Sequence, residues 1–120
     1  MSFSFARLNL NHERFTVPAD WRAEFFHALL TDAFVNYSNM TDTDFRKVDR
    51  RQHRHPIDFN RSKFRDGFSL PAEDVNLDAW QFAVCSGRQT PPKDKWRVYG
   101  YLVESTFHIV WLDAEHAMFD

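Results

Sequence analysis

Two alternating stretches near the C-terminus constrain this chain more than any other feature of its sequence. They cover Trp96–Glu104 and Thr106–Asp113 and are joined by a very tight connection. A connection this short makes the two strands antiparallel neighbours. Counted outward from the turn, Arg97 lies opposite about Leu112, within one residue of Asp113. We therefore expect a hairpin with one polar end.

Strict alternation also predicts which side chains of the hairpin share a face. On its last strand, Phe107, Ile109 and Trp111 are expected on one face, and Val110 and Leu112 on the other.

The remaining segments complete an α+β pattern. Period-two alternation predicts a first strand within 2–11, and apolar spacing predicts an amphipathic helix over about 20–35. A short second helix is expected at about Asp42–Gln52 and a further strand at Trp80–Ser86. The order β-α-α-β-β-β predicts a single α+β domain over residues 1–120, an antiparallel sheet of about four strands with two helices on one face.

The stretch from His53 to Asp78 has no clean periodicity and is predicted to be a long surface segment. We expect a short strand within it at Ile57–Phe59. Its aromatic side chains Phe59, Phe64 and Phe68 are expected to hold the segment against the core.

Cysteine usage and hydropathy bear on the compartment. The single Cys85 forms no internal disulfide, which suits a reducing cytoplasm, and we expect it to be a small core residue. No apolar run approaches the roughly 20 residues that cross a bilayer, and the N-terminal stretch lacks a signal-peptide pattern. We expect a cytoplasmic protein with no membrane partner.

The formal net charge of −2 conceals an uneven distribution. The segment 46–65 holds eight of the 15 Lys and Arg residues and only two acidic ones, a formal charge of +6. Its cations are Arg46, Lys47, Arg50, Arg51, Arg54, Arg61, Lys63 and Arg65. Such asymmetry predicts a polyanion or an acidic protein as partner. A solvated helix face with local ion pairs is the alternative.

Candidate chemistry gathers at the polar end of the hairpin. His116 and Glu115 follow the last strand, close to Asp113 and to Arg97 on the neighbouring strand. An imidazole transfers protons near neutral pH, and a guanidinium can hold a phosphate beside it. A cross-strand salt bridge between Arg97 and Asp113, next to a surface histidine, is the alternative.

His53 and His55 flank Arg54 in the basic segment. A metal site needs three or four ligands, and no spacing supplies them here, so we predict neither a metal nor another cofactor. The pair is expected to extend the cationic surface or to supply a second proton-transfer group.

The strand "WRVYGYLVE" contains Arg97, and the ending "EHAMF" contains His116 and Phe119. On the predicted topology and these two motifs, the chain resembles the RelE/ParE-like small toxins, many of which are ribonucleases. The resemblance implies a metal-independent endoribonuclease that acts on RNA, often at the ribosome, with a small acidic antitoxin as partner. It implies that His116 is the acid or base and that Arg97 stabilises the phosphorane.

Further roles follow from the same resemblance. Arg50, Arg51 and Arg54 would hold the RNA backbone. Independently of the resemblance, the charge of the basic segment makes Arg46, Lys47 and Arg61 further candidate substrate contacts. The position of Glu115 beside His116, and the imidazoles of His53 and His55, make these three residues further candidates for catalysis. The competing hypothesis is a non-enzymatic interaction protein, such as a phage or mobile-element factor, that binds an acidic partner or nucleic acid through Arg46–Arg65.

Overall fold

The strands of this protein form one mixed sheet with helices on one side. In the computed structural model, which describes residues 1–68 and 77–119, the sheet has five strands. They are β1 (Ser2–Ser4), β2 (His55–Pro56), β3 (Asp78–Ala83), β4 (Arg97–Val103) and β5 (Thr106–Asp113). Their spatial order is β1-β5-β4-β3-β2, so the α+β class is confirmed.

The predicted four-stranded antiparallel sheet is wrong in two respects. β1 runs parallel to β5, which is possible because residues 5–105, and not a short hairpin turn, connect the two strands. β2 adds a fifth strand, paired antiparallel with the edge of β3. The alternation after Ser4 does not extend β1, although Asn9 still donates its backbone N–H to the carbonyl of Val110 on β5 at 2.9 Å.

The hairpin β4–β5 has the predicted register at its polar end, where Arg97 and Asp113 are direct partners. A β-bulge shifts the register farther along, because Tyr99 pairs with Trp111 while Gly100 pairs with Ile109. Val110 is the extra residue of β5. A side chain at Gly100 would clash, since its Cβ would lie 2.2 Å from the carbonyl oxygen of His108.

The bulge changes which β5 side chains share a face. Ile109 and Leu112 belong to the core beneath the helices, whereas Val110 and Trp111 belong to the core on the opposite face. The predicted groupings of Trp111 with Ile109 and of Val110 with Leu112 are therefore both wrong, because one extra residue breaks the period of two.

One long helical segment covers the first face of the sheet. It consists of a 3-10 turn (Ala19–Trp21), α1 (Arg22–Ala28), a π-helical turn (Leu29–Ala33) and α2 (Phe34–Ser38). The apolar residues Phe25, Leu29, Ala33 and Tyr37, spaced four apart, are buried against the sheet. The predicted first helix is thus present, and it ends a few residues later than expected.

The predicted second helix is much shorter than expected. α3 covers only Asp42–Phe45, begins at Thr41, whose hydroxyl accepts the N–H of Asp44 at 3.1 Å, and stops well before Gln52. Asp49 is one reason, because its carboxylate accepts the N–H groups of Arg51 and Gln52 and favours a turn instead.

Loop segments rich in aromatic residues cover the second face. Phe59, Phe64 and Phe68 pack against its core, as predicted. The strand expected at Ile57–Phe59 is absent from the described residues, where Phe59–Arg61 is a 3-10 turn. Residues 69–76 of this predicted surface segment lie outside the described residues.

Two further observations concern the whole fold. Cys85 is buried, as predicted. Within the described ranges, no helix combines the length and apolar character that crossing a membrane requires.

Candidate functional site

Four chain segments meet at the polar end of the hairpin. Ala83 ends β3 and pairs with Arg97, which pairs in turn with Asp113 at the end of β5. The N–H of Ala83 also donates to the carbonyl of Gln52 at 2.7 Å, and the side chain of Gln81 donates to the carbonyl of His53 at 3.1 Å. The turn that contains His53 is therefore fixed beside Arg97.

Asp113 organises the C-terminal turn. Its carboxylate is fully buried and accepts the hydroxyl of Tyr99 at 2.7 Å and the backbone N–H groups of Glu115 and Ala117 at 2.9 and 2.7 Å. Burial and this carboxylate raise the pKa of Tyr99, which keeps the phenol protonated. These contacts hold the turn that presents His116.

Arg97 is buried at the same end of the sheet, but its guanidinium does not form the alternative salt bridge with Asp113. It donates to the carbonyls of Asp94 and Trp96 at 2.9 and 3.1 Å, and its Nε has no hydrogen-bond partner. Burial lowers the pKa of Arg97, an effect opposed by Tyr99, Asp113 and Asp94. Its charge is therefore compensated by carbonyl dipoles and by carboxylates that it does not contact.

A cleft of about 410 Å³ opens above this row of residues, and we call it the cationic cleft. It is lined by two imidazoles and four cationic side chains against one carboxylate. These residues are His53, His116, Arg88, Lys93, Lys95, Arg97 and Asp94. A concave surface with this excess of positive charge favours an anionic ligand.

Most cations of the cleft remain available to a ligand. Lys93 lies 3.8 Å from a carboxylate oxygen of Glu24, whereas neither Arg88 nor Lys95 has an ion pair within the part of the chain that the structure describes. Arg97, by contrast, is a buried residue in the wall of the cleft. The cleft therefore combines exposed surface cations with one buried cation.

The two histidines of the cleft share an unusual backbone conformation. His53 has a φ of 50° and His116 a φ of 55°, both in the left-handed region. Residues other than glycine rarely adopt it, and such strain is concentrated at functional sites. Burial, and then the charges of Arg97 and His116, lower the pKa of His53. The neutral form of the His53 imidazole is therefore favoured.

The other two residues predicted to assist catalysis lie outside this lining. His55 is on β2, where its Nδ1 lies 2.8 Å from the carbonyl of Pro56. Glu115 is exposed and lines a neighbouring depression together with Lys95. Of the predicted catalytic residues, the cleft brings together His53, Arg97 and His116.

The basic segment offers less free charge than its composition indicates. Arg46 forms ion pairs with Asp42 and Asp78 at 2.9 and 3.0 Å. Lys47 pairs with Asp44 at 3.2 Å. Arg61 lies 3.6 Å from Asp58.

Arg54, a predicted substrate contact, is buried in the core and 3% exposed. It donates to the carbonyl of Lys47 and to the side chain of Gln52, and it stacks on the rings of Tyr37 and Phe45 with centroids 5.6 and 5.3 Å from its guanidinium carbon. Its RNA contact stays a prediction that this burial does not favour.

Arg50 and Arg51 differ from the rest of the segment. Both are exposed in the turn that leads to His53, and in the described residues neither has an ion pair. These two cations are available to a partner.

The cationic residues of the β3–β4 loop were missed by sequence reasoning. Arg88, Lys93 and Lys95 lie within "SGRQTPPKDK", which reads as an ordinary proline-containing loop. A signal was present, because this loop joins two antiparallel strands at the end where Arg97 lies, so its cations had to lie near that residue.

Metal ligation has no support in this geometry. Among residues 1–68 and 77–119, no group of three or more His, Cys, Asp or Glu side chains is arranged to hold a metal ion.

No protein family, no curated protein and no solved structure matches this chain.

Proposed function

We propose that this protein binds RNA in the cationic cleft and cleaves it as a metal-independent endoribonuclease. The observation that carries this proposal is the placement of His53, His116 and Arg97 in the wall of one cleft. Two imidazoles supply a proton acceptor and a proton donor, and a buried guanidinium supplies fixed positive charge.

In the proposed reaction, His53 accepts the proton of a ribose 2′-hydroxyl as its oxygen forms a bond to the adjacent phosphorus. The bond from phosphorus to the 5′-oxygen breaks, and His116 donates a proton to that leaving oxygen. The products are a 2′,3′-cyclic phosphate and a 5′-hydroxyl, so the step needs neither a metal nor an added nucleophile.

The cations of the cleft have separate roles in this proposal. Arg97 stabilises the negative charge that accumulates on the phosphorane oxygens, because it is buried and cannot move away. Arg88 and Lys95 attract and hold the phosphate in the ground state. Gln89, also in the lining, offers an amide to the sugar or phosphate.

The resemblance to RelE/ParE-like toxins supports the same assignment of His116 and Arg97. It extends the proposal to messenger RNA at the ribosome as substrate and to a small acidic antitoxin that covers the cleft. The excess of cations in the cleft suits either of these partners.

Cleavage of RNA in EDTA tests the proposal. We expect His116→Ala and His53→Ala each to lower the rate by about 10²–10⁴-fold, the usual contribution of a general acid or base. Arg97→Ala should lower it by roughly 10²–10³-fold. His27→Ala is the matched control, because His27 is exposed on α1, away from the cleft. Far-UV circular dichroism establishes that each variant folds.

Three outcomes would contradict the proposal. A rate that all three substitutions leave unchanged would exclude this cleft, and equal cleavage of RNA and of a strand with 2′-deoxy sugars would exclude the 2′-hydroxyl as nucleophile. Wild-type protein that cuts no RNA, alone or with ribosomes, would exclude the enzyme.

A non-enzymatic interaction protein is the second candidate, and the exposed Arg50 and Arg51 favour it, since both charges are available to an acidic partner. Charge reversal at these two positions should then abolish binding, and no RNA should be cut. Loss of binding without any cleavage by the wild type would support this candidate over the enzyme.

A further inference from the structure

A second cavity lies on the aromatic face of the sheet, and it has the features of a nucleotide site. We call it the ring pocket; its volume is about 360 Å³. Rings form much of its lining, together with two cations, a carboxylate and an amide. These residues are His12, Phe64, Phe68, Trp111, Lys63, Arg65, Asp66 and Asn9.

The rings of the pocket support one another. The centroid of Trp111 lies 4.8 Å from that of His12 and 4.9 Å from that of Phe68, and Phe15 stacks behind the indole at 4.6 Å. Phe64 lies 5.8 Å from His12 and is only half-buried. Such mutual packing fixes the walls before a ligand arrives, which lowers the entropic cost of binding a planar group.

Trp111 carries an unsatisfied donor. The residue is 3% exposed, and its indole Nε1–H has no acceptor. A buried donor without an acceptor costs free energy, which a ligand acceptor would remove.

His12 adds a second donor to the pocket. Its Nδ1 accepts the backbone N–H groups of Arg14 and Phe15 at 3.0 and 3.1 Å, so the proton of the neutral ring is on Nε2. Asn9 and Asp66 supply acceptors, and together these groups match the mixed donors and acceptors at the edge of a nucleobase.

Charge in the pocket suits a phosphate attached to that ring. Lys63 and Arg65 are exposed and form no ion pair with any described residue, while Asp66 alone opposes them. Aromatic side chains interleaved with cations are the arrangement that proteins use to bind single-stranded nucleic acid.

Residues of the ring pocket and of the cationic cleft are neighbours along strands β4 and β5. Trp111 and Asp113 are two residues apart on β5, and their partners Tyr99 and Arg97 are two residues apart on β4. This spacing is about 7 Å along the strands. The N–H of Lys63 also donates to the carbonyl of Met118 at 3.5 Å, so the loop of the pocket contacts the turn that presents His116.

From these contacts we propose that the ring pocket binds the base of a nucleotide whose strand continues into the cationic cleft. The base lies against Phe64 and Trp111, Lys63 and Arg65 hold a phosphate, and the hydrogen-bonding groups discriminate between bases. The continuation into the cleft rests on the proposed function, whereas base binding in the pocket does not.

Isothermal titration calorimetry with AMP, GMP, CMP, UMP and ribose 5-phosphate tests the proposal on the full chain. We expect at least one nucleotide to bind about tenfold or more tightly than ribose 5-phosphate, since stacking of one base is worth roughly 5- to 100-fold in affinity. Phe64→Ala should remove that advantage. Phe5→Ala is the matched control, because Phe5 is an exposed ring outside the pocket.

Trp111→Phe gives a finer test, since it keeps a ring and removes the Nε1–H. It should reduce the difference in affinity between the four nucleotides about threefold or more while the protein stays folded. Lys63→Ala with Arg65→Ala should weaken every nucleotide together, by about tenfold.

The outcomes separate this proposal from the endoribonuclease. Nucleotide binding that depends on Phe64, in a protein that cuts no RNA, would support the pocket and overturn the enzyme. RNA cleavage that depends on His116 but is unaffected in rate and base preference by Phe64→Ala, with ribose 5-phosphate bound as tightly as nucleotides, would overturn the pocket alone.

Discussion

Two cationic regions of this protein differ in how much of their charge is available. The basic segment 46–65 is conspicuous in the sequence, yet Arg46, Lys47 and Arg61 are in ion pairs and Arg54 is buried. The β3–β4 loop is inconspicuous, yet its cations line an open cleft. The comparison teaches that a count of charges along a chain does not measure the charge offered to a ligand.

Two buried arginines show the same contrast at single-residue scale. Arg54 donates to carbonyls and to Gln52 and stacks on two rings, so its surroundings satisfy it. Arg97 donates from Nη1 to two carbonyls, and its Nε has no partner. One guanidinium is built into the core, and the other is left partly unsatisfied beside a cleft.

The largest expected change in RNA affinity follows from substitutions in the β3–β4 loop. Arg88→Ala with Lys95→Ala should weaken binding of a short single-stranded RNA by tenfold or more, because both cations line the cleft and neither forms an ion pair with another described residue. Arg46→Ala with Lys47→Ala removes the same charge from the basic segment and should change the affinity less than about threefold. Fluorescence anisotropy at one fixed salt concentration makes the measurement. Equal losses of RNA affinity in the two double variants would contradict the difference between the loop and the basic segment.

The next expected effect is on stability. Arg54→Met should lower the free energy of unfolding by about 2–4 kcal/mol, because the carbonyls of Lys47 and Asp44 and the side chain of Gln52 lose their donor. Arg97→Met should change it by less than about 1 kcal/mol, since removal of a desolvated charge without an ion pair offsets the lost hydrogen bonds. Urea unfolding of both variants and of the wild type measures the two changes in free energy. A larger loss for Arg97→Met would show that the cleft arginine is the structural one.

A smaller effect is expected from Asp113. Asp113→Asn should destabilise the protein by about 1–3 kcal/mol, since one amide oxygen cannot accept the hydroxyl of Tyr99 and two backbone N–H groups together. Tyr99→Phe removes only one of these bonds and should cost about 1 kcal/mol. Thermal unfolding measures which of the two variants loses more stability. A larger loss for Tyr99→Phe than for Asp113→Asn would contradict the anchoring role of the carboxylate.

The smallest expected effect is on proton binding. The pKa of His53 is lowered from 6.5 by burial and by nearby positive charge, so its neutral form persists to more acidic pH than that of an ordinary histidine. Arg97→Met removes one of those charges and should raise the pKa of His53 toward 6.5.

His12 is the internal control for this titration. Its pKa is lowered mainly by burial, and Arg97 is not among the charges that act on it. NMR titration of the imidazole signals should therefore show that replacement of Arg97 shifts the pKa of His53 and leaves that of His12 unchanged. A pKa of His53 that stays constant would show that Arg97 does not act on the cleft.

Local patterns in the sequence predict much of the fold. The β4–β5 hairpin, its pairing of Arg97 near Asp113 and the first helix follow from periodicity and short connections. The packing of Phe59, Phe64 and Phe68 against the core follows from their aromatic character. The parallel placement of β1 and the early end of α3 do not, because long-range pairing and one aspartate in a turn decide them.

The candidate site divides in the same way. Sequence alone determined that His116 and Arg97 lie at one end of the hairpin, because a two-stranded register is set by a few neighbouring residues. Only the tertiary structure brought His53 and the β3–β4 loop to that end, since those contacts join residues far apart in the chain. The side of the sheet on which Trp111 lies was also decided only by the tertiary structure. Alternation places Trp111 on the same face as Ile109, but the extra residue Val110 moves it to the opposite face, where it lines the ring pocket.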